Sequence, residues 1–349
     1  MRVMVTGCDG YIGHVMVTLL QAAGHEIAGI DSYLYEGCAL GEEPLQSIPI
    51  LRKDIRDVTA VDLDGFDAVV HLAAISNDPL GDYEPEVTFD INHHATVSLA
   101  EAAKEAGVTR FLFSSSCSTY GAAGDDFLDE GAAFNPVTPY GRSKLLSEQS
   151  LRELADDDFS PTYLRSATAY GLSPRLRGDL VVNNLTGFAF TTGEVKIMSD
   201  GTPWRPLVHI EDISRAFRAA LEAPRETVHD EAFNVGRTDE NFRISEVADI
   251  VAAVVPGSVV TYAPGGGPDL RCYRVDCTKI VERLGYEAQW TVERGVRELY
   301  AAYRAAALTL GEFTSGRFLR IKHVKDMQAQ GLMDASLRRT AGDGAAALS

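Results

Sequence analysis

A glycine-rich turn separates the first apolar run of the chain from its first helix, and it restricts the possible folds more than any other feature. Residues 2–6 read as a short strand that leads directly into Gly7-Cys-Asp-Gly10-Tyr-Ile-Gly13. A helix over 11–23 follows and stops at Gly24, and a second strand over 26–30 ends at Asp31. Strand, glycine turn, helix and strand form the opening unit of a doubly wound sheet. The alternation continues with a strand at 68–72, a helix at 85–106, a strand at 110–114, a helix through 140–144 and a strand at 161–165. Such regular alternation predicts an α/β protein, a Rossmann-type doubly wound parallel sheet with helices on both faces.

Beyond Arg165 the pattern loosens into Pro, Gly and longer loops, as a smaller α/β substrate-binding lobe over the sheet's edge would require. Regularity returns at 207–210, in a helix over 211–222 and at 233–236. The expected division is a Rossmann domain over 1–165 with a return segment 207–236, and a second lobe from 166–206 and 237–310. Residues 311–349 form an extension whose small-residue tail, 341–349, is expected to be disordered. In that extension Arg317, Arg320, Lys322 and Lys325 alternate with Phe318, Leu319, Ile321 and Val324. The pattern predicts an amphipathic helix docked by its apolar face on the second lobe, with its basic face solvated. The competing reading is that these cations raise the potential near a nucleotide pocket.

A net charge of −18 over 349 residues argues against nucleic acid or other polyanions as partners. The five cysteines contain no Cys-x-x-Cys pair and the histidines no ligand spacing, so no metal site is expected and a reducing cytoplasm is. His93-His94 reads as helix surface. No apolar run reaches a membrane span, and Gly7, Asp9 and Gly10 interrupt any signal-peptide core.

The glycine turn has a chemical reading. Gly7, Gly10 and Gly13 let the backbone approach a pyrophosphate at a helix N-terminus, where free N–H groups and the helix dipole favour anions. Asp31 is placed to accept hydrogen bonds from an adenosine ribose and to repel a 2′-phosphate. Asp9 adds to that repulsion, and no arginine lies in the loop or directly after Asp31. NAD is therefore favoured over NADP.

Tyr140 and Lys144 form a second constellation. Thr138 and Pro139 mark a helix start, and the i, i+4 spacing puts phenol and ammonium on one face. Two unit charges ~4 Å apart at an effective dielectric of ~20 interact by about 4 kcal/mol. That corresponds to about three pKa units, enough to bring a tyrosine near neutrality.

With these residues in place, the chain resembles the extended short-chain dehydrogenase/reductase family, in its NAD-dependent sugar-nucleotide epimerase/dehydratase branch, over about residues 1–305. The resemblance implies that the cofactor is held by the glycine loop with Tyr11 and Ile12, by Asp31, by Asp54-Ile55 at the adenine, and by Leu72-Ala73-Ala74 after His71. Asn92 matches an asparagine that kinks the next helix near the nicotinamide, and Ser114 belongs to the same strand end. Counting back four from Tyr120 assigns the catalytic hydroxyl to Ser116, completing a triad with Tyr140 and Lys144. His71 reads as a satisfied buried histidine, and Arg142, Glu148 and Arg152 as solvated helix surface.

For a nucleoside-diphosphate sugar, the resemblance implies contacts from Asn183-Asn184-Leu185, from Arg205 to the phosphates and from Asp269 to the nucleoside ribose. Thr168 stands where the family has a sugar-contacting asparagine. Gly266 stands where it often has an arginine, so that Arg271 or Arg274 substitutes. The reaction depends on the two residues after Ser116. Dehydratases of this branch place Asp-Glu there, whereas Cys117 and Ser118 are a thiol and an alcohol. That implies 4-epimerisation, with a 4-ketoreductase or 4,6-dehydratase as alternatives and an NAD-sensing regulatory protein as the non-enzymatic one. The family also implies a homodimer pairing the helices that carry Asn92 and Tyr140, with Leu145, Leu146 and Leu151 available on the second.

Overall fold

The structure, a computed structural model, describes residues 1–43, 47–76, 78–264 and 271–340. Seven parallel strands form its central sheet, in the order Glu231–Val235, Ser160–Ser166, Arg110–Ser116, Ala68–His71, Arg2–Thr6, Glu26–Asp31 and Ile50–Arg52. The order reverses beside Arg2–Thr6, so the glycine loop leaves the sheet at a switch point, where doubly wound folds open their binding crevice.

Both faces of the sheet are covered, which explains why inner strands such as Arg2–Thr6 and Ala68–His71 are apolar on both sides instead of alternating with polar residues. Val3 and Val5 point to one side, where Met16, Val17 and Leu20 of the helix Tyr11–Ala22 meet Phe217 and Ala220 of the helix Ile210–Glu222. Met4 points to the other, against Leu99 and Ala103 of the helix Ala95–Glu105 and Leu151 of the helix Pro139–Leu154. Leu151 therefore belongs to the subunit's own core, whereas Leu146 remains exposed.

A second apolar core gathers Leu176, Val182 and Leu185 with Val247, Val251, Val296 and Leu299. Three small sheets complete the fold, the first two packed on this core and the third on the core of the main sheet. Thr168–Tyr170 pairs with Trp204–His209, which pairs with Asn241–Arg243; Glu194–Ile197 pairs with Val259–Tyr262; Ala122–Leu128 pairs with Cys272–Val275. The return of the chain is thus split. Residues 231–235 extend the main sheet, but 204–209 belong to a small sheet of their own.

The single helix expected over 85–106 is interrupted. Pro85–Phe89 and Ala95–Glu105 are joined by a π-turn, Asp90–His94. The cause is Asn92, whose amide pairs with the backbone of Ile75: Oδ1 accepts from Ile75 N at 2.7 Å and Nδ2 donates to Ile75 O at 2.9 Å. The Asn92 carbonyl accepts from the hydroxyls of Thr96 and Ser147, both at 2.8 Å, which satisfies the loosened turn.

The C-terminal segment follows expectation at Phe318, which packs in the second-lobe core, and departs from it in the helix beyond. Its helix is Arg320–Ala329, and Val324 packs with Ile55, Ile75 and Leu80 of the first domain, not with the second lobe. Nor is its basic face simply solvated. Arg320 is buried and Arg317 donates to the carbonyls of Ala39 and Gly41, while Lys322 and Lys325 stay exposed. Residues 341–349, the tail expected to be disordered, lie outside the described residues.

Candidate active site

The glycine loop opens onto a cavity of ≈ 730 Å³ between the C-terminal ends of the strands and the second lobe. Gly7 has φ +73°, and an added Cβ there would lie 2.8 Å from Ala73 N. At Gly13 a Cβ would lie 2.2 Å from Gly7 O. Both positions are closed to any side chain, so loop and helix approach as an anion cradle requires. No side chain caps the helix Tyr11–Ala22, which leaves its first amides directed at the cavity.

Gly7, Gly10, Tyr11, Ile12, Gly13, Asp31, Asp54, Ile55, Leu72, Ala73, Ala74 and Ser114 all line this cavity. The Asp31 carboxylate accepts from Asp9 N at 2.9 Å and Tyr33 N at 2.7 Å, while desolvation pushes its pKa up to about 6. Asp54 is engaged by Arg56, which donates at 2.9 and 2.7 Å and holds it below the usual carboxylate range against the cost of burial. Asp9 does not act as the bare repelling charge that its sequence position suggests. Arg175, buried, meets it at 2.5 Å and His14 at 3.0 Å, so an arginine from far along the chain does serve the glycine loop.

Ser116, Tyr140 and Lys144 converge on the same cavity. Thr138 caps the helix that carries Tyr140, accepting from Gly141 N at 3.1 Å. Gly141 lets that helix close on the strand end, since a Cβ there would lie 2.9 Å from Ser118 O. The Ser116 hydroxyl donates to Ser118 Oγ at 2.9 Å and stands close enough to the Tyr140 phenol to favour its anion. The phenol is not brought near neutrality as the spacing predicted. Desolvation leads and drives it up to about 12, with the Ser116 hydroxyl opposing. Lys144 is buried, its Nζ 4.6 Å from the Phe113 ring centroid and 5.9 Å from that of Tyr140. The same low-dielectric setting drives its ammonium down to about 7, with Glu148 opposing.

Lys144 therefore carries a pH signature. The unfolded chain holds that proton until about pH 10.4. Between the two values the unfolded state binds more protons, so this group favours folding increasingly as pH rises, by about 1.4 kcal/mol per pH unit. Urea unfolding of NAD-free protein should show wild type gaining about 2 kcal/mol over Lys144→Met between pH 7 and pH 9. Parallel curves for the two proteins would show that the ammonium is not displaced.

At the other end, Thr168, Asn184, Leu185, Arg205 and Arg271 line the cavity. Arg271 meets Asp78 at 2.5 Å, and Arg205 donates to the carbonyls of Trp204 and Arg271. Asn183 does not join them. It is fully buried, with Oδ1 accepting from Gly171 N at 3.0 Å and Nδ2 donating to Arg177 O at 2.9 Å, so its work is to hold the 171–177 loop. Asn92 likewise shapes the wall through Ile75 without lining the cavity. Asp269 lies outside the described residues.

Cys117 is buried, its thiol donating to Arg165 O at 3.0 Å and its pKa driven up by desolvation, so it serves packing. His71 is held between the hydroxyls of Thr6 (2.6 Å) and Thr96 (2.8 Å). Glu148 is a correction: instead of solvated helix surface it is a buried carboxylate meeting Arg165 at 2.6 Å, with Ser115 donating to it. Ser115 is thereby structural. Sequence reasoning missed Asp78, Arg177, Tyr273 and Leu337, all of which line the cavity; Arg320 lines it too, as the competing reading of the extension's cations allowed. The nearest signal was the pair of arginines in Pro174-Arg-Leu-Arg177, which has no motif spacing.

Comparison with known proteins decides the family. The profile described as NAD dependent epimerase/dehydratase family matches residues 3–236. The chain belongs to that family. UDP-glucose 4-epimerase of Mycolicibacterium smegmatis is 30% identical over 315 residues, covering 87% of this chain and 99% of its own. Among solved structures, MoeE5 in complex with UDP-glucuronic acid and NAD superposes with a TM-score of 0.76 at 28% identity, covering 88% of this chain and 100% of its own. UDP-glucose 4-epimerase from Thermotoga maritima, solved with UDP-glucose, gives 0.77 at 26% identity, with 88% and 100% covered. Family membership gives NAD as the dinucleotide, and the closed glycine cradle suits its pyrophosphate. Among the described residues no helix is long and apolar enough to cross a membrane.

Proposed function

We propose that this protein is an NAD-dependent epimerase of a nucleoside-diphosphate sugar, acting at C4 through a transient 4-keto sugar. The observation that carries this reading is the reacting corner, where Ser116, Ser118, Tyr140 and Lys144 face the cavity and the Cys117 thiol turns into the core. Elimination needs an acid for the departing hydroxyl and a base for the adjacent C–H. Neither position after Ser116 offers a carboxylate, and Asp78, which also lines the cavity, is paired with Arg271.

Bound NAD supplies a hydride acceptor that returns the hydride within the same turnover. The Tyr140 phenol is positioned to take and return the proton of the sugar hydroxyl, with the Ser116 hydroxyl beside it. Lys144, buried beneath them, tunes the phenol and orients the ribose of the cofactor. Arg205 and Arg271, with Asn184 and Leu185, face the diphosphate of the nucleotide, and Thr168 faces the sugar. Relatives named for UDP-glucose make uridine nucleotides the first substrates to test.

Incubation with a panel of nucleoside-diphosphate sugars and NAD, followed by NMR, should yield a C4 epimer without accumulating NADH. A 4-keto-6-deoxy product would replace this reading by dehydration, and a stoichiometric demand for NADH by ketoreduction. We place the protein in a reducing cytoplasm, consistent with five free cysteines. We also propose a homodimer paired through the helices that carry Asn92 and Tyr140, where Leu146 is exposed. Light scattering at micromolar concentration should report twice the chain mass; a monomer removes the dimer from this reading.

A further inference from the structure

The segment after residue 310 lies outside the region matched by the family profile, yet it reaches the dinucleotide end of the cavity. Its first anchor is in the second lobe. Phe313 is buried against Gly187, where an added Cβ would lie 2.1 Å from the ring, and Phe318 packs in the same core. Its second anchor is in the first domain, where Met333 and Leu337 pack with Ile55, Ile75 and Leu80. Between the anchors, His323 meets the Leu34 carbonyl at 2.9 Å and Lys325 lies over the Tyr83 ring. Arg338 meets Asp57 at 2.5 Å and Arg339 donates to Tyr33 O at 2.9 Å. The segment is a strap across the mouth of the cofactor half.

One residue of the strap stands in an unfinished electrostatic environment. Arg320 is 3% exposed, with its guanidinium carbon 3.9 Å from the Tyr35 ring centroid. Nη2 donates to Arg175 O at 3.2 Å, but Nη1 is buried with no hydrogen-bond partner, and Arg320 forms no ion pair among the described residues. Its neighbours are committed elsewhere: Arg175 to Asp9 and Arg177 to Asp179. A buried guanidinium with an unmet N–H is costly unless an anion completes it. Arg320 lines the cavity, so the missing partner has a place to sit.

We propose that Arg320 binds the diphosphate of the dinucleotide, which makes the C-terminal strap part of the cofactor site. This rests on the assignment of the glycine loop to NAD. Two diphosphates enter such a cavity, the cofactor's and the sugar nucleotide's. Arg320 sits with Tyr35, just beyond Asp31, and with Arg175, which holds the glycine loop through Asp9; Arg205 and Arg271 belong to the other end. Planar bidentate donation suits the guanidinium to this role.

Calorimetry on full-length, NAD-stripped wild type and Arg320→Gln, with NAD, ADP, adenosine and UDP as probes, tests it. NAD and ADP should each bind at least tenfold more weakly to the variant, with adenosine and UDP within twofold of wild type. Unchanged NAD affinity overturns the proposal, as does an equal loss for adenosine, which would make the strap a steric wall. A loss confined to UDP assigns Arg320 to the sugar nucleotide instead. If the variant does not fold, hydrogen exchange on wild type decides: NAD should protect amides across 320–329, and no protection overturns the proposal. None of these readouts uses turnover, so an error in the proposed reaction leaves the test intact.

Discussion

Tyr140→Phe should lower turnover by about 10²–10⁴-fold, the range of a positioned acid–base group, while leaving the fold and NAD affinity unchanged. Phe keeps the ring and its packing and removes the hydroxyl that stands beside Ser116. The phenol lies up at about 12 in the NAD-free protein because burial penalises its anion. A positive nicotinamide ring bound beside it would favour the phenolate. Stopped-flow or NMR turnover, with NAD affinity by calorimetry on the same preparation, checks both halves. Activity within a few-fold of wild type would remove Tyr140 from the proton path.

Glu148→Ala should cost about 3–5 kcal/mol of stability, the usual consequence of stranding one member of a buried ion pair. Arg165 would keep its charge at 2% exposure, with Tyr120 OH at 3.1 Å and Glu130 O at 3.1 Å as remaining acceptors. Ser115 would also lose its acceptor. Replacing both members, Glu148→Leu with Arg165→Met, should recover much of the loss, since no buried charge then remains. Urea denaturation of the three proteins measures this. A loss below about 1 kcal/mol for Glu148→Ala would place the pair among the surface bridges, where such values are ordinary.

The pair also illustrates what was hidden in the sequence. Glu148 sits four residues after Lys144 on a helix that reads as amphipathic, and nothing local distinguishes it from Arg142 or Arg152, which do face outward in part. Its partner, Arg165, comes from the end of another strand. Burial of a charge is settled by where its counter-charge lands, and that is a property of packing.

Residues that act through their own backbone were legible. Gly7 and Gly13 are required by contacts within their own strand–turn–helix unit and the neighbouring strand; Asp31 closes that unit; Thr138, Pro139 and Tyr140 start a helix by local capping. Each follows from short-range sterics and hydrogen bonding, which a sequence carries in its spacing. The parallel sheet followed for the same reason, as alternating strands and helices have few ways to bury both faces. Only the tertiary structure decided the rest. It placed Arg175 on Asp9 and gave Asn183 a structural task instead of a ligand. It sent Val324 to the first domain and carried Arg320 to the mouth of the cavity. Apart from Asn183, which holds its own neighbourhood, those outcomes join groups more than a hundred residues apart, and charge balance in a desolvated cavity depends on every group that reaches it.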